Sequence, residues 1–150
     1  MPGRPSMSAK SVEPRNAAML ESVLGGSPVA RALGIRFDVV APDHVELLLP
    51  FSMQNITVGD MVHGGVIATL IDVAGAAAAF TAVDLEVVKG GATGSLSIQY
   101  LAPAKSATLR AVADVVRRGK RQVVTEVSVF AESEAEAVLA AKALMSTALL

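Results

Sequence analysis

The sequence VHGGVIATLIDVAGAAAAF, residues Val62–Phe80, decides how the rest of the chain is interpreted. It predicts a helix from about Gly64 to Ala82 whose apolar residues cover all sides, and a helix of that kind is enclosed by other structure. Small residues in its second half, Gly75 and Ala76–Ala79, allow neighbouring elements to approach closely. Two features do not belong to an ordinary core helix: a pair of glycines at its start and a carboxylate in its middle.

The segment is nearly long enough to cross a membrane, which takes about 20 apolar residues. Its central carboxylate, Asp72, argues against this because a charge at the centre of a bilayer is costly. It is also the only such segment, and alternating strand-like segments follow it. We therefore expect no membrane partner.

The glycine pair, Gly64 and Gly65, is compatible with two interpretations. The first four N–H groups of a helix have no partner within the helix, and the helix dipole adds partial positive charge there. Such donors form an oxyanion hole when they point at a carbonyl oxygen that becomes negative. The plainer interpretation is that the glycines permit a tight turn into the helix. The dipeptide by itself favours the plainer interpretation.

Asp72 also has two interpretations. A buried carboxylate must be paired, solvated in a cavity, or neutral with a raised pKa. In a reaction it would serve as general base or nucleophile. Otherwise it would hold a structural hydrogen bond to a neighbouring backbone group. Its residue type leaves both interpretations open.

Helix geometry constrains the two features together. Asp72 follows Gly64 by eight residues, which is about 12 Å along the helix axis at about 1.5 Å per residue. One acyl carbon cannot contact both groups within a single helix. Two antiparallel copies of the helix, related by a two-fold axis, could bring Gly64 of one chain near Asp72 of the other. A catalytic role for both therefore predicts a dimer with sites at its interface.

The flanking segments predict an α+β domain. Apolar periodicity predicts a helix at Glu13–Gly25 and a helical turn at Val29–Leu33, and alternation predicts a hairpin followed by a meander of strands. The predicted strands are Ile35–Val40, His44–Phe51, Thr93–Leu101, Ala107–Arg117, Arg121–Glu132 and Ala137–Leu150, and Ser52–Val62 is a predicted loop. The last strand is ambiguous because Ala and Leu favour helix, but its place after a meander favours strand. An antiparallel sheet around the long helix would explain why that helix has no polar face.

Length and composition limit the class of protein. A chain of 150 residues has the commonest domain size, so we expect one domain at 13–150 after a disordered segment at 1–12. A net charge of −1 with a single basic block argues against a duplex nucleic-acid partner. The absence of cysteine excludes thiolate metal sites and a cysteine nucleophile. The first ten residues lack the apolar core of a secretory signal, so the expected location is the cytoplasm.

Two segments carry a family resemblance. NITVGDMVHGGVIATLIDVAGAAAAF, residues 55–80, and TGSLSIQYLAPAK, residues 93–105, resemble the signature of hotdog-fold acyl-CoA thioesterases of the phenylacetate-pathway type, in the 4-hydroxybenzoyl-CoA thioesterase superfamily. That signature has Asp nine residues after the His of His-Gly-Gly, which is the spacing of His63 and Asp72. The likeness covers about Leu33–Leu150. It implies an antiparallel β-sheet wrapped around one long central helix, and hydrolysis of an acyl-CoA to a carboxylic acid and CoA.

The resemblance also implies residue roles, a homodimer that often pairs into a tetramer, and no metal or separate cofactor, since CoA belongs to the substrate. The N–H of Gly64, beside Gly65 in the substrate-binding turn, would polarise the thioester carbonyl. Asp72 of the partner chain would activate water or attack directly. His63 would shape the loop near the thioester, and Thr93 would help to position water beside the acid.

A loop residue would orient the thioester or the water. The resemblance assigns this role to Asn55, but the loop from Asn55 to His63 is longer than in relatives, so Thr57 is the alternative.

Basic residues would contact the CoA phosphates. The turn Arg118-Gly119-Lys120-Arg121 matches a family hairpin with that role, and clustered Arg and Lys pair with phosphate at an exposed rim. Lys89 is a weaker second candidate. The plainer interpretation of the basic turn is an ordinary solvated hairpin.

Three other functions remain open. A non-catalytic acyl-CoA binding or sensing protein could use the same fold, a hotdog hydratase could act on enoyl-CoA, and a small structural oligomer would bind no ligand. Retention of Asp72 argues against the first, and the nine-residue spacing from His63 fits the second poorly. The sequence does not distinguish an aromatic acyl group from a short or medium chain.

Overall fold

The computed structural model describes residues 11–150, with three α-helices and eight β-strands. In chain order they are α1 (Pro14–Met19), α2 (Pro28–Leu33), β1 (Arg36–Ala41), β2 (His44–Leu49), β3 (Ile56–Val58), β4 (Met61–Val62), α3 (Gly64–Phe80), β5 (Gly91–Tyr100), β6 (Thr108–Arg118), β7 (Gln122–Glu132) and β8 (Ala137–Leu149). A π-helical turn, Leu20–Leu24, continues α1. Of the segment predicted to be disordered, residues 1–10 lie outside the described residues. No helix in the described part of the chain has the length and hydropathy needed to cross a membrane.

Six strands form one antiparallel sheet in the order β1-β2-β6-β7-β8-β5. Alternation sets its two faces, because successive side chains of a strand point to opposite sides. In β7, Val123, Thr125, Val127 and Val129 are buried and alternate with partly exposed residues. The buried face packs against α3, which contacts β2, β6, β7 and β8. This is the hotdog arrangement that the sequence predicts.

The last segment is a strand, as predicted. Its pairing with both β5 and β7 forms a ladder on each side of β8. Ala143, Met145 and Thr147 point to the core, whereas Lys142 and Leu144 point outward. The alternation decides between strand and helix, because only an extended chain places these residues on opposite faces.

Close packing joins α3 to the sheet. Leu70, Ile71 and Ala74 are fully buried on the helix. A Cβ at Gly75 would collide with the sulfur of Met145 and would lie 2.9 Å from the Thr125 hydroxyl. Glycine is therefore required for this separation between helix and sheet.

One expectation about α3 is wrong for the single chain. The helix was predicted to be enclosed on all sides, but one stripe of it is not covered by its own sheet. The residues of this stripe, spaced three or four apart, are partly or fully exposed: Gly65, Thr69, Asp72 and Ala76. The sheet curves around the rest of the helix and ends at β5, so no strand among residues 11–150 covers the stripe.

The predicted loop at 52–62 contains more structure than expected. Met53–Asn55 forms a 3₁₀ turn, and β3 pairs with β4 in a short hairpin. Gly59 in its turn has φ +63°, a conformation that favours glycine. The hairpin ends at Val62, and α3 begins two residues later at Gly64.

Candidate active site

Asp72 lies midway along α3 on the uncovered stripe. Thr93, near the start of β5, donates a hydrogen bond from its hydroxyl to Asp72 Oδ1 over 2.6 Å. No other group among residues 11–150 donates to this carboxylate. Its Oδ2 atom is therefore free to accept a proton or to attack a substrate. Thr93 thus lies beside the acid, where the sequence predicts it.

A cavity of about 330 Å³ lies next to Asp72. Its other walls come from α1 and the π-helical turn, from α3, from the loop before β5, and from β5 itself. The side chains that line it are mostly apolar: Met19, Val23, Leu24, Val73, Ala76, Phe80, Leu85 and Val88, with Lys89, Thr93 and Thr147 as the other polar ones. A carboxylate at the edge of an apolar cavity can act on the polar end of a ligand whose apolar part occupies that cavity.

The first turn of α3 is capped by His63. Its Nδ1 accepts a hydrogen bond from the Gly65 N–H over 2.8 Å, and its carbonyl accepts from Val66 and Ile67. Because Nδ1 is an acceptor, the neutral ring carries its proton on Nε2. His63 therefore fixes the start of the helix, and its position near a thioester stays a prediction. Because the Gly65 N–H donates to this cap, it is not available to a ligand.

The N–H of Gly64 is the donor that the cap leaves free. It has no partner among residues 11–150, whereas the next three N–H groups are all bonded. The positive end of the helix dipole reinforces it. The structure thus distinguishes two adjacent glycines that the sequence could not separate: Gly64 offers a donor, and Gly65 does not.

Tyr100 is a candidate site residue that the sequence analysis did not name. Its hydroxyl donates to the Gly64 carbonyl over 2.8 Å, although the side chain is 53% exposed. Tyr100, Gly64 and Thr57 line a second cavity of about 310 Å³. Tyr100 belongs to the family-like stretch TGSLSIQYLAPAK, so the sequence did mark this region. No spacing rule, however, connects Tyr100 to Gly64, which lies 36 positions earlier.

The two loop candidates occupy different positions. Asn55 is buried, and its carbonyl accepts the His63 N–H over 2.8 Å, which ties the loop to the helix cap. Its side chain bonds to no other described residue. Thr57 is exposed and lines the second cavity beside Gly64. The choice between them stays a prediction.

Members of the basic turn have different environments. The Arg118 guanidinium contacts Asp43 Oδ1 at 2.7 Å and donates to the carbonyls of Ala78 and Ala79 at the end of α3. Lys120 and Arg121 are exposed and make no ion pair with a described carboxylate.

The turn also borders a third cavity, of about 310 Å³, which is lined by Arg117, Gly119 and Arg121. Away from the turn, Lys89 donates to the Leu85 carbonyl over 3.1 Å and lines the Asp72 cavity.

Comparisons with known proteins agree on one family. Residues 59–138 match the model of a family described as the thioesterase superfamily. A "Putative esterase" of Saccharolobus solfataricus is 33% identical over 112 residues, which make up 75% of this chain and 71% of that protein. The structure of a thioesterase family protein from Silicibacter pomeroyi has a TM-score of 0.85 at 25% identity, over 90% of this chain and 98% of that one. The E. coli PaaI protein, from the phenylacetic acid degradation operon, has a TM-score of 0.78 at 20% identity, over 93% and 96% of the two chains, which shows a shared fold.

Proposed function

The chain belongs to the thioesterase superfamily, and from that premise we propose that it hydrolyses an acyl-CoA thioester to a carboxylic acid and CoA. The observation that carries this proposal is the Asp72 carboxylate, bonded on one oxygen by Thr93 and free on the other, at the edge of an apolar cavity. The cavity suits the acyl part of the substrate, and the carboxylate suits the reacting end.

Asp72 can act in either of two ways. As general base it takes a proton from water while the water oxygen attacks the thioester carbon, and the tetrahedral intermediate then expels CoA as a thiolate. As nucleophile its Oδ2 attacks the same carbon, CoA leaves as a thiolate, and water hydrolyses the resulting anhydride. In both cases Thr93 orients the carboxylate, and the negative charge on the thioester oxygen needs a donor.

The proposed donor is the Gly64 N–H of a partner subunit. Gly64 and Asp72 of one chain line different cavities, in keeping with their separation of about 12 Å along α3. A two-fold axis that brings two α3 helices together antiparallel would supply both groups to each of two sites. We propose that Asn55 or Thr57 of the same loop orients the thioester or water.

The proposed dimer surface combines two features of the chain. One is the uncovered stripe of α3 from Gly65 to Ala76. The other is β5, which pairs with β8 on one side only and forms the edge of the sheet. Thr93 joins the two, since it lies on β5 and bonds to Asp72. An exposed edge strand of ten residues beside a small-residue helix stripe suits association with a second copy. Pairing of dimers into a tetramer stays a prediction.

Lys120 and Arg121 are proposed to contact the CoA phosphates, with Gly119 in the turn between them and Arg118. Neither pairs with a carboxylate among residues 11–150, whereas Arg118 is held by Asp43 and by α3. We propose that Arg118 fixes the position of the turn and that Lys89 is a secondary phosphate contact. The reaction as proposed uses no metal and no cofactor besides the CoA of the substrate, and the cytoplasm is the proposed location.

The test is release of CoA thiol from a panel of aryl-acetyl, benzoyl and straight-chain acyl-CoA substrates. The wild type should hydrolyse at least one, and Asp72→Asn should lower its kcat by about 10²–10⁴-fold, the usual contribution of a positioned acid or base. Glu134→Gln removes an exposed carboxylate outside the site and serves as the control.

The same panel separates the rival functions. Binding of acyl-CoA by the wild type without turnover would favour the sensing protein. Equal turnover by wild type and Asp72→Asn would refute the role of the carboxylate. An enoyl-CoA added to the panel tests the hydratase, and hydration of its double bond without release of thiol would favour that function.

A further inference from the structure

The cavity beside Asp72 extends along α3. Asp72, Val73, Ala76 and Phe80 line it, so it follows one face of the helix for two turns beyond the carboxylate. From Asp72 to Phe80 this face is about 12 Å long, at about 1.5 Å per residue. The cavity is therefore a slot that begins at the proposed reaction centre and runs toward the end of the helix.

The far end of the slot is bounded by an aromatic ring. Phe80 is 7% exposed, and its ring lies against Gly91 so closely that a Cβ at Gly91 would be 2.7 Å from Phe80 Cζ. Neither residue has space to move toward the other. The ring therefore limits the depth of the slot.

The middle of the slot is kept open by a small side chain. Ala76 follows Asp72 by one helical turn and contributes only a methyl group to the wall. A larger residue here would project into the slot between the carboxylate and Phe80, because positions i and i+4 share a helix face.

The outer wall is the π-helical turn after α1. A π-turn adds a residue to the helical repeat and often occurs at functional sites. Here Leu24 and Val23 line the slot, and Val23 is 56% exposed. Gly26 closes the turn, since a Cβ there would collide with the Ser22 carbonyl. The wall is thus apolar, and its backbone is tightly constrained.

We propose that this slot binds an unbranched, medium-length acyl chain, and that Ala76 and Phe80 determine the chain length the enzyme accepts. The proposal rests on the proposed function for the position of the thioester. An extended chain with C–C bonds of about 1.5 Å and angles of about 111° advances about 1.25 Å per bond, so a slot of about 12 Å holds about nine or ten carbons. An aryl-acetyl group would fill only about half of that length.

The test measures kcat/KM for straight-chain acyl-CoA substrates from acetyl to myristoyl, together with phenylacetyl-CoA. The wild type should reach its maximum near octanoyl to decanoyl. Ala76→Leu should block the slot and lower the ratio of decanoyl to butyryl kcat/KM at least 30-fold. Ala82→Leu makes the same substitution at an exposed position just after α3 that does not line the slot, and should leave this ratio within two-fold.

A second variant should act in the opposite direction. Phe80→Leu shortens the side chain at the end of the slot, and the optimum should move at least two carbons longer. Thermal unfolding of both variants, compared with wild type, shows whether each remains folded at the assay temperature. Since the two predicted shifts have opposite signs, a general loss of stability cannot produce both.

Displacement of a fluorescent fatty acid by decanoate gives a readout independent of hydrolysis. Loss of this binding in Ala76→Leu but not Ala82→Leu supports the slot, even if no acyl-CoA is hydrolysed and the proposed function fails. An unchanged chain-length profile in both slot variants, with activity retained, overturns the inference and leaves the proposed function standing. A wild-type preference for phenylacetyl-CoA over every straight chain also overturns it.

Discussion

Gly64 shows how a single backbone N–H is left without a described partner at a helix start. Four N–H groups at a helix start lack helical partners, but the His63 cap satisfies the ones after Gly64. Tyr100 then bonds the Gly64 carbonyl and restrains the same residue from the other side. The environment of the free N–H therefore depends on His63, which bonds the neighbouring N–H groups, and on Tyr100, which lies 36 positions later in the sequence.

Gly64→Pro removes that donor with little change to the helix. Proline is favoured at the first helical position, and His63 already has the extended conformation that a following proline requires (φ −62°, ψ 134°). We expect kcat for acyl-CoA hydrolysis to fall about 10²–10³-fold, the usual effect of removing one oxyanion donor. The melting temperature should stay close to that of the wild type. Gly64→Ala keeps the N–H and is the control, and equal activity of the two variants would contradict the assignment.

At the scale of elements, α3 depends on the sheet for its position. The helix packs on β6 and β7 through small residues, and Arg118 of β6 bonds the carbonyls of its last turn. A cation at a helix C-terminus is favourable because it faces the negative end of the dipole. Part of the basic turn therefore stabilises the fold, a role that neither the phosphate-binding nor the solvated-hairpin interpretation of its sequence included.

Gly75→Ala tests the contact between α3 and the sheet. The added methyl group would meet Met145 and Thr125, and overpacking a core costs about 1–3 kcal/mol. Replacing glycine by alanine inside a helix stabilises the helix by about 1 kcal/mol. We therefore expect a net loss of up to about 2 kcal/mol in the free energy of unfolding. Gly64→Ala is the matched control, because its Cβ would lie 3.6 Å from the Tyr100 ring, an ordinary contact. Denaturant titration at equal protein concentration measures both, and a gain in stability for Gly75→Ala would contradict the packing argument.

His44 links the stability of β2 and β6 to pH. Its Nδ1 lies 2.6 Å from Asp114 and its Nε2 lies 2.8 Å from Glu46. Arg110 also bonds to Glu46, and the same nitrogen of Arg110 bonds to Asp38. Burial lowers the pKa of His44, but the hydrogen bonds to Asp114 and Glu46 outweigh it, so the pKa is raised above 6.5. A raised pKa means that this contribution is fully present below pH 6.5 and is lost as the pH rises through the pKa of the folded state.

The expected outcome is that His44→Gln lowers the melting temperature more at pH 5.5 than at pH 8.5, relative to wild type at each pH. Thermal unfolding monitored by circular dichroism measures this difference. A larger effect at pH 8.5 would show that the neutral ring, and not the protonated one, stabilises the strand pair.

At the scale of the whole molecule, the single chain leaves one surface uncovered. Among the described residues the α3 stripe and the β5 edge form one uncovered surface, and Gly64 and Asp72, the two groups proposed to react, line separate cavities. Both facts fit a catalytic unit of two chains.

Subunit mixing tests this unit. Asp72→Ala and Gly64→Pro chains should each be nearly inactive alone, but a mixed dimer contains one site with an intact Gly64 from one chain and an intact Asp72 from the other. With equal amounts and random pairing, half of the dimers are mixed and one of their two sites works. Activity should therefore recover to a quarter of the wild-type value, measured after co-refolding. Failure to recover in dimers shown to be mixed by mass spectrometry would place each site within one chain.

The sequence by itself determined the order of the elements, because that order depends on local periodicity. The hotdog fold was implied by resemblance to a known family, through motifs that include the nine-residue spacing of His63 and Asp72. The sequence also determined that Gly64 and Asp72 of one chain are too far apart to act together, since the rise of a helix is fixed. Only the tertiary structure decided which glycine keeps a free N–H, that Tyr100 contacts Gly64, that Arg118 is already engaged, and that α3 keeps an uncovered stripe. The last three depend on contacts between residues 36 to 75 positions apart or on where the sheet ends. The first depends on the orientation of the His63 ring at the helix start, which its position in the sequence does not specify.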